Sequence, residues 1–192
     1  AADYTPGALY RYFPSKSALL AAVVVRLLGH LSDELSELEG ATGPRTALAR
    51  VVALGFGYRR FALTQPHAFA LFSAMLADPR VLLPEAHERA TIVMAMHRTL
   101  MPLARQLDRA VEAGELPPGA TDTRALMIFT SLHGALQLGK QERLAILPIA
   151  TDALVQSLLE ALLVGLGAAR ETVSAALDEG RALLTHTPQV VP

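Results

Sequence analysis

Prolines and glycines divide this chain into segments of helical length, and this punctuation restricts its fold more than any other feature. Between the breaks, Ala, Leu, Arg and Glu dominate, and the alternation of β-branched residues that is typical of strands is nearly absent. The sequence therefore predicts an all-α protein. The predicted helices are 6–13, 16–39, 44–65, 66–77, 84–114 with a kink near Pro102, 121–139, 148 or 151–167, and 171–184.

Composition excludes several classes of function. The chain has 192 residues and a formal net charge of -1, so any contact with nucleic acid must come from a local patch rather than from bulk basicity. It contains no Cys, which excludes a disulfide framework, a thiolate nucleophile and a Cys-based zinc site. No hydrolase, metalloprotease or nucleotide-binding motif is present, so we expect no catalysis, no cofactor and no metal.

Apolar residues make up 52% of the sequence, which is high for a globular domain. No apolar run reaches the roughly 18 residues of a membrane span, and no signal peptide is visible. We therefore expect a cytoplasmic protein without membrane contact. The apolar excess favours a subunit interface or a ligand cavity in addition to an ordinary core.

The most informative segment is 4–20, with the sequence YTPGALYRYFPSKSALL. Thr5 before Pro6 is typical of a helix start, Pro14 ends that short helix, and Ser15 is the predicted cap of a long one. Small residues at the start of the short helix would let its backbone approach another surface closely. The residues that follow carry hydroxyl or cationic hydrogen-bond donors that can bind phosphates: Tyr10, Arg11, Tyr12 and Lys16. The pattern fits a recognition helix entering a DNA groove, or an ordinary short helix with aromatic packing.

The string TPGALYRYFPSKSALL resembles the end of the helix-turn-helix of TetR-family transcriptional regulators over roughly the first 25 residues. The resemblance implies that bases are contacted by Thr5, Pro6, Gly7 and Ala8, phosphates by Tyr10, Arg11, Tyr12 and Lys16, and that Leu9, Phe13, Leu19 and Leu20 are core. Asp3 stands where the family usually has Gly. The family's earlier helices would precede Ala1, so we expect them to be missing from this sequence. The domains expected are 1–39, a partial helix-turn-helix with its connecting helix, and 44–192, a helical bundle that binds ligand and dimerises.

Two strings in the second domain, 58–69 and 129–138, are similar to a TetR subgroup with an aromatic residue before a His-Gly pair. The family pairs its last two long bundle helices across a two-fold axis, which implies an interface on 121–139 and 151–167. The small or stripe-forming residues there are Ser131, Gly134, Ala135, Gly139, Leu154, Leu158, Ala161 and Gly165. The alternative is that both helices are ordinary buried helices of a monomer.

A stripe of Met and His runs along one face of the helix 84–114, at intervals of seven, three and four residues. We expect this stripe and several aromatic residues to line an apolar ligand pocket, with His97 as the polar contact. Plain core packing is the alternative. The residues are His87, Met94, His97 and Met101, joined by Phe56, Phe69, Phe72 and Met127. The isolated His67 and His133 are expected to hydrogen-bond within the protein.

The resemblance and the residue pattern together predict a homodimeric DNA-binding transcriptional regulator. Its partners would be a double-stranded DNA operator and a small, largely apolar effector of unknown identity that releases a repressor. Two alternatives stay open from the sequence: a helical small-molecule carrier without a DNA role, and an all-α enzyme acting on an apolar substrate.

Overall fold

A computed structural model describes residues 12–41, 43, 46–77, 86–139 and 150–186. Within these ranges the chain is all-α, as predicted, and contains no strand. The helices are α1 (Lys16–Gly40), α2 (Ala47–Thr64), α3 (Pro66–Ala77), α4 (Ala86–Glu112), α5 (Thr121–Gly139), α6 (Thr151–Gly165) and α7 (Arg170–His186). The predicted starts at 44, 84 and 148, and residues 6–11 of the predicted first helix, lie outside the described residues.

The central helix of the bundle is α2, because residues 51–58 are all buried. An element that is apolar all round must be covered on every side, and α1, α4, α5, α6 and α7 all pack against α2. The other helices bury one face and expose another. In α1, for example, the buried face is Val24, Leu28, Leu31, Leu35 and Leu38.

Side chains cap the first two helices, one of them at the position that the sequence indicated. The Ser15 hydroxyl accepts a hydrogen bond from the Ala18 amide at 3.0 Å, which confirms the predicted start of α1. At the start of α2, the Glu115 carboxylate accepts from the Leu48 amide at 2.9 Å. Since Glu115 follows α4, this bond also fixes the loop 113–120 against the central helix.

Pro102 lies inside α4, and the helix continues through it. A proline has no N–H to donate to the carbonyl four residues earlier, so the Arg98 carbonyl loses its helical partner. The Ser32 hydroxyl of α1 lies 3.5 Å from that carbonyl oxygen. The proline that weakens α4 locally therefore provides an acceptor for its neighbour.

The contact between α2 and α7 depends on Gly180. A Cβ atom at that position would lie 2.5 Å from the Ala49 carbonyl oxygen and 2.7 Å from Val52 Cγ1. Backbone on one side and a β-branched core residue on the other leave no room for the structure to relax around an added Cβ.

Within the described residues, no helix is both long and apolar enough to cross a membrane.

We expect Gly180→Ala to lower the free energy of unfolding by about 1–3 kcal/mol, because the clash outweighs the gain of about 1 kcal/mol in helix propensity. Gly29→Ala in α1 is the matched control, since a Cβ there meets nothing within 4 Å. Urea unfolding of both variants measures the difference. Equal stabilisation by the two substitutions would contradict the close approach at Gly180.

Candidate functional site

Only part of the predicted DNA-contact segment is described. Tyr12 is 66% exposed, and Lys16 is exposed as the first residue of α1. Phe13, Leu19 and Leu20, which were predicted to be core, are half-buried, and Leu9 lies outside the described residues. The predicted base contacts and two of the phosphate contacts lie outside the described residues: Thr5, Pro6, Gly7, Ala8, Tyr10 and Arg11.

The helix that begins at Lys16 is tied to α4 from its middle to its C-terminal end. The Arg98 guanidinium donates to Asp33 at 3.1 Å, and the Thr99 hydroxyl lies 3.2 Å from the Leu28 carbonyl oxygen. The same hydroxyl is 2.9 Å from the Ala95 carbonyl oxygen of its own helix, so one hydrogen is shared between two acceptors. Thr99 therefore joins the two helices at the middle of α1.

The C-terminal end of α1 is held more firmly. Glu39 accepts hydrogen bonds from the Arg105 guanidinium and, at 2.9 Å, from the Gln106 amide. Arg50 donates to the Glu39 and Ala41 carbonyl oxygens at 2.5 and 2.9 Å, which satisfies acceptors that a helix end leaves free. Burial raises the pKa of the Glu39 carboxyl, but the hydrogen bonds from Arg105 and Gln106 and the nearby positive charges outweigh it and lower that pKa overall.

A small apolar cavity lies between α1, α2, α4 and α5. Its volume is about 30 Å³, which suits one or two water molecules. Among the described residues that line it, the only hydroxyl groups belong to Tyr58 and Thr99. The lining residues are Leu31, Leu35, Leu54, Gly55, Tyr58, Thr99, Leu100, Leu103, Ile128, Phe129 and Leu132.

The residues predicted to share a pocket do not converge on this cavity. The Met and His stripe lies on the outer face of α4, where Met94 is 67% exposed and His97 is exposed, while Met101 is half-buried. The helix buries its opposite face, which includes Thr99, Leu103 and Leu107. Met127 is 43% exposed on α5, so it does not join the pocket either.

The predicted aromatic members separate into two places. Phe69 and Phe72 are buried beside His133, in a cluster completed by Tyr58 and Phe129, with ring centroids 5.2–6.2 Å from the imidazole. This cluster adjoins the cavity, because Tyr58 and Phe129 belong to both.

Phe56 lies elsewhere, in an open groove of about 440 Å³ between α2, α6 and α7. The Arg181 guanidinium is 4.9 Å from the Phe56 ring centroid. Asp152 accepts from Arg181 at 2.8 Å and lies 3.4 Å from Arg59 Nε. His87, the remaining member of the stripe, is exposed, so the prediction of a single pocket that contains all eight residues is wrong in its geometry.

His133 hydrogen-bonds within the protein, as expected for an isolated histidine. Its Nδ1 is 2.6 Å from the Tyr58 hydroxyl, and its Nε2 is 2.8 Å from the Gln137 side-chain nitrogen. The sequence did not indicate that Tyr58 lines the cavity or that His133 lies in the aromatic cluster beside it. The available signal was the pair of strings 58–69 and 129–138, whose aromatic and histidine residues pack against each other.

Helices α5 and α6 pack side by side and turn a common face outward. Of the residues predicted for a subunit interface, Gly134, Ala161 and Gly165 are exposed. Ser131, Gly139, Leu154 and Leu158 are half-buried, and Ala135 is only 5% exposed because it faces the core. The outward face also carries large apolar side chains that the sequence analysis did not assign to it: Leu126 at 49%, Met127 at 43% and Leu138 at 47% exposure.

Comparison with known proteins identifies the family. The description "Bacterial regulatory proteins, tetR family" matches residues 1–23, and "Tetracyclin repressor-like, C-terminal domain" matches residues 51–162. The chain belongs to the TetR family. The predicted membership and the function of a DNA-binding transcriptional regulator are thereby confirmed, while the His-Gly subgroup stays a prediction.

Solved structures agree with this TetR-family fold. A protein of unknown function from Rhodococcus sp. RHA1 is 26% identical, with a TM-score of 0.67 over 85% of this chain and 79% of that one. The TetR family transcriptional regulator PfmR from Thermus thermophilus is 15% identical, with a TM-score of 0.65 over 84% of this chain and 82% of that one. The comparison with curated proteins gives no match.

In the described part of this regulator, no group of three His, Asp or Glu residues could hold a metal ion.

We expect Glu39→Gln to reduce the acid sensitivity of the fold. A lowered folded-state pKa contributes stability above the unfolded value of about 4.5 and loses it as the pH falls through the folded-state value. Unfolding by urea at pH 7 and at pH 3–4 measures the change. The variant should lose less stability on acidification than the wild type does, whereas the control Glu37→Gln, at an exposed position of α1, should follow the wild type.

Proposed function

We propose that this TetR-family regulator is a homodimeric repressor that a small, largely apolar effector releases from its operator by binding between α1, α2, α4 and α5. The observation that carries the proposal is the double role of α1. Leu31 and Leu35 form part of the cavity wall, and the same helix begins at Lys16, beside exposed Tyr12. A change in the cavity wall would therefore move the DNA-contact segment.

The size of the cavity supports release by the effector. About 30 Å³ is far below the 300 Å³ or more of typical ligand pockets, so an effector must select a conformer with its walls further apart. The apolar walls give hydrophobic stabilisation to an uncharged ligand. If the conformer with α1 opened away from α4 binds DNA less tightly, the effector lowers the affinity for DNA. DNA then lowers the affinity for the effector by the same coupling free energy.

The division into a DNA-contact unit, 1–39, and a ligand-binding and dimerisation unit, 44–192, belongs to this proposal. Helix α1 connects the two units and packs on α4 and α2 of the second. Because a regulator must reach the chromosome, we place the protein in the cytoplasm. It acts by binding alone, without a catalytic step.

Dimerisation is proposed through the outward face of α5 and α6. Its exposed leucines and Met127 surround Gly134, where a neighbouring helix can approach closely. The small residues Ala161 and Gly165 extend this surface onto α6. A self-complementary face of this kind forms a two-fold dimer. Two recognition helices would then lie about one DNA turn, roughly 34 Å, apart.

Gel-shift titration of the full-length protein with its own promoter region tests the regulator and the effector together. Binding to promoter DNA that weakens when an apolar ligand is added supports the proposal. Operator affinity that an apolar ligand leaves unchanged would overturn release by the effector, and a protein that ignores its promoter yet binds such a ligand would be a carrier.

We expect Lys16→Ala to weaken DNA binding and to flatten its salt dependence. The slope of log K against log salt should fall by about 0.9 for each phosphate that a subunit no longer neutralises. The matched control is Arg26→Ala, an exposed cation ten residues further along α1. Gel shifts at several salt concentrations measure both slopes. An unchanged slope for Lys16→Ala would remove Lys16 from the phosphate contacts.

We expect Gly134→Arg to yield a monomer, because a long cation would fill the surface where the partner helix approaches. The substitution is tolerated within the subunit, since a Cβ at Gly134 meets nothing within 4 Å. Gly29→Arg, which is equally unobstructed in α1, is the control and should remain dimeric. Analytical ultracentrifugation decides the matter, and a dimeric Gly134→Arg protein would place the interface elsewhere.

A further inference from the structure

A chain of hydrogen bonds runs from the cavity wall to the outward surface of α5. Tyr58 lines the cavity and is 5% exposed, and its hydroxyl is 2.6 Å from Nδ1 of His133, which is 7% exposed. Nε2 of the same imidazole is 2.8 Å from the side-chain nitrogen of Gln137, which is exposed. Both ring nitrogens are thus engaged, and the imidazole is fixed in orientation by four surrounding aromatic rings.

The chemistry of the amide sets the direction of this chain. The Gln137 amide is oriented with its nitrogen toward Nε2 of His133; an amide nitrogen only donates hydrogen bonds, so in this orientation Nε2 accepts. A neutral imidazole that accepts at Nε2 carries its hydrogen on Nδ1 and donates it to the Tyr58 oxygen. The phenolic hydrogen is then left for a different acceptor.

Among the described lining residues, nothing else competes with Tyr58 as a donor to a ligand. Burial raises the pKa of the Tyr58 phenol, so the hydroxyl keeps its hydrogen across the physiological range. The Thr99 hydroxyl shares its one hydrogen between the Leu28 and Ala95 carbonyl oxygens. All other lining side chains are hydrocarbon or absent, and none is charged.

We propose that the effector is a compact uncharged molecule with a hydrogen-bond acceptor, such as a ketone, ester or ether oxygen on an apolar skeleton, and that Tyr58 donates to that oxygen. His133 and Gln137 are positioning residues, which hold the phenol and set the direction of its hydrogen bond. This inference rests on the proposed use of the cavity as the effector site. A carboxylate or phosphate is excluded because no cation among the described lining residues offsets the cost of its desolvation.

The test uses two probes of nearly the same shape, cyclohexanone and methylenecyclohexane, which differ in having a carbonyl oxygen or a methylene group. Binding of each probe to the full-length protein is measured by ligand-observed NMR. We expect wild-type protein to prefer the ketone by on the order of tenfold, because one buried donor is satisfied by one probe and left unsatisfied by the other. Tyr58→Phe should abolish this preference.

Thr99→Val is the matched control, because it removes the other hydroxyl of the cavity and keeps its shape. It should retain the preference for the ketone. Equal affinity of wild type for the two probes, failure of both to bind, or a ketone preference that survives Tyr58→Phe and disappears in Thr99→Val would each overturn the proposal.

The hydrogen on His133 can be located independently by ¹⁵N NMR of the imidazole. Hydrogen on Nδ1 is expected in the wild type, and Gln137→Leu should shift the population toward the Nε2–H form and weaken the ketone preference. An Nε2–H imidazole in the wild type would overturn the acceptor assignment while leaving the regulator intact. If cyclohexanone binds as expected and operator affinity in a gel shift does not change, effector control through this cavity fails instead.

Discussion

The fold depends on the burial of residues 51–58 at the centre of α2. A helical segment that is covered on all sides removes apolar side chains from water, but each buried polar group nearby then needs a partner inside the protein. The Glu115 carboxylate caps its first amides, His133 binds the Tyr58 hydroxyl, and Asp152 lies beside Arg59. These partners come from the loop after α4, from α5 and from α6. The polar groups of α2 therefore help to fix the position of each of these three parts of the chain.

The attachment of α1 to α4 is uneven along its length. Thr99 and Arg98 reach Leu28, Ser32 and Asp33 at the middle of α1, whereas at its end the Glu39 carboxylate is held by charged hydrogen bonds. Hydrogen bonds to charged groups are stronger than neutral ones. The cavity lies beside the middle of this contact, where the hydroxyl hydrogen bonds are neutral and the Arg98–Asp33 ion pair is exposed to solvent, so a ligand can separate the two helices there at less cost than at Glu39.

The helices could be predicted closely because their boundaries are local chemistry: Ser15 caps α1, and Gln65 separates α2 from Pro66 at the start of α3. The DNA-contact assignment came from resemblance to a family, because the composition of so short a helix does not by itself distinguish a recognition helix from an ordinary helix with aromatic packing. The pocket prediction failed because periodicity marks a stripe without saying which stripe is buried. The outer face of α4 carries the apolar residues Val93 and Met94, so apolar side chains alone did not distinguish its exposed face from its buried face.

The cavity wall could not be derived from the sequence for a related reason. Leu31, Leu103 and Ile128 are indistinguishable from ordinary core leucines and isoleucines until the crossing of four helices leaves a gap between them. Tyr58 and His133 are 75 positions apart, and only the packing of α2 on α5 brings them together.

The firm hold on Glu39 has a mechanical consequence. Because α1 is fixed at its last turn and spans 25 residues, or about 37 Å at 1.5 Å per residue, that end serves as a pivot for the whole rod. A tilt of about 5° around it sweeps the opposite tip, at Lys16, through an arc of about 3 Å, by the geometry of a rod of that length. In the proposed two-fold dimer both tips would travel symmetrically, so a widening of about 1 Å beside Leu31 would be magnified into a mismatch with the helical repeat of a duplex.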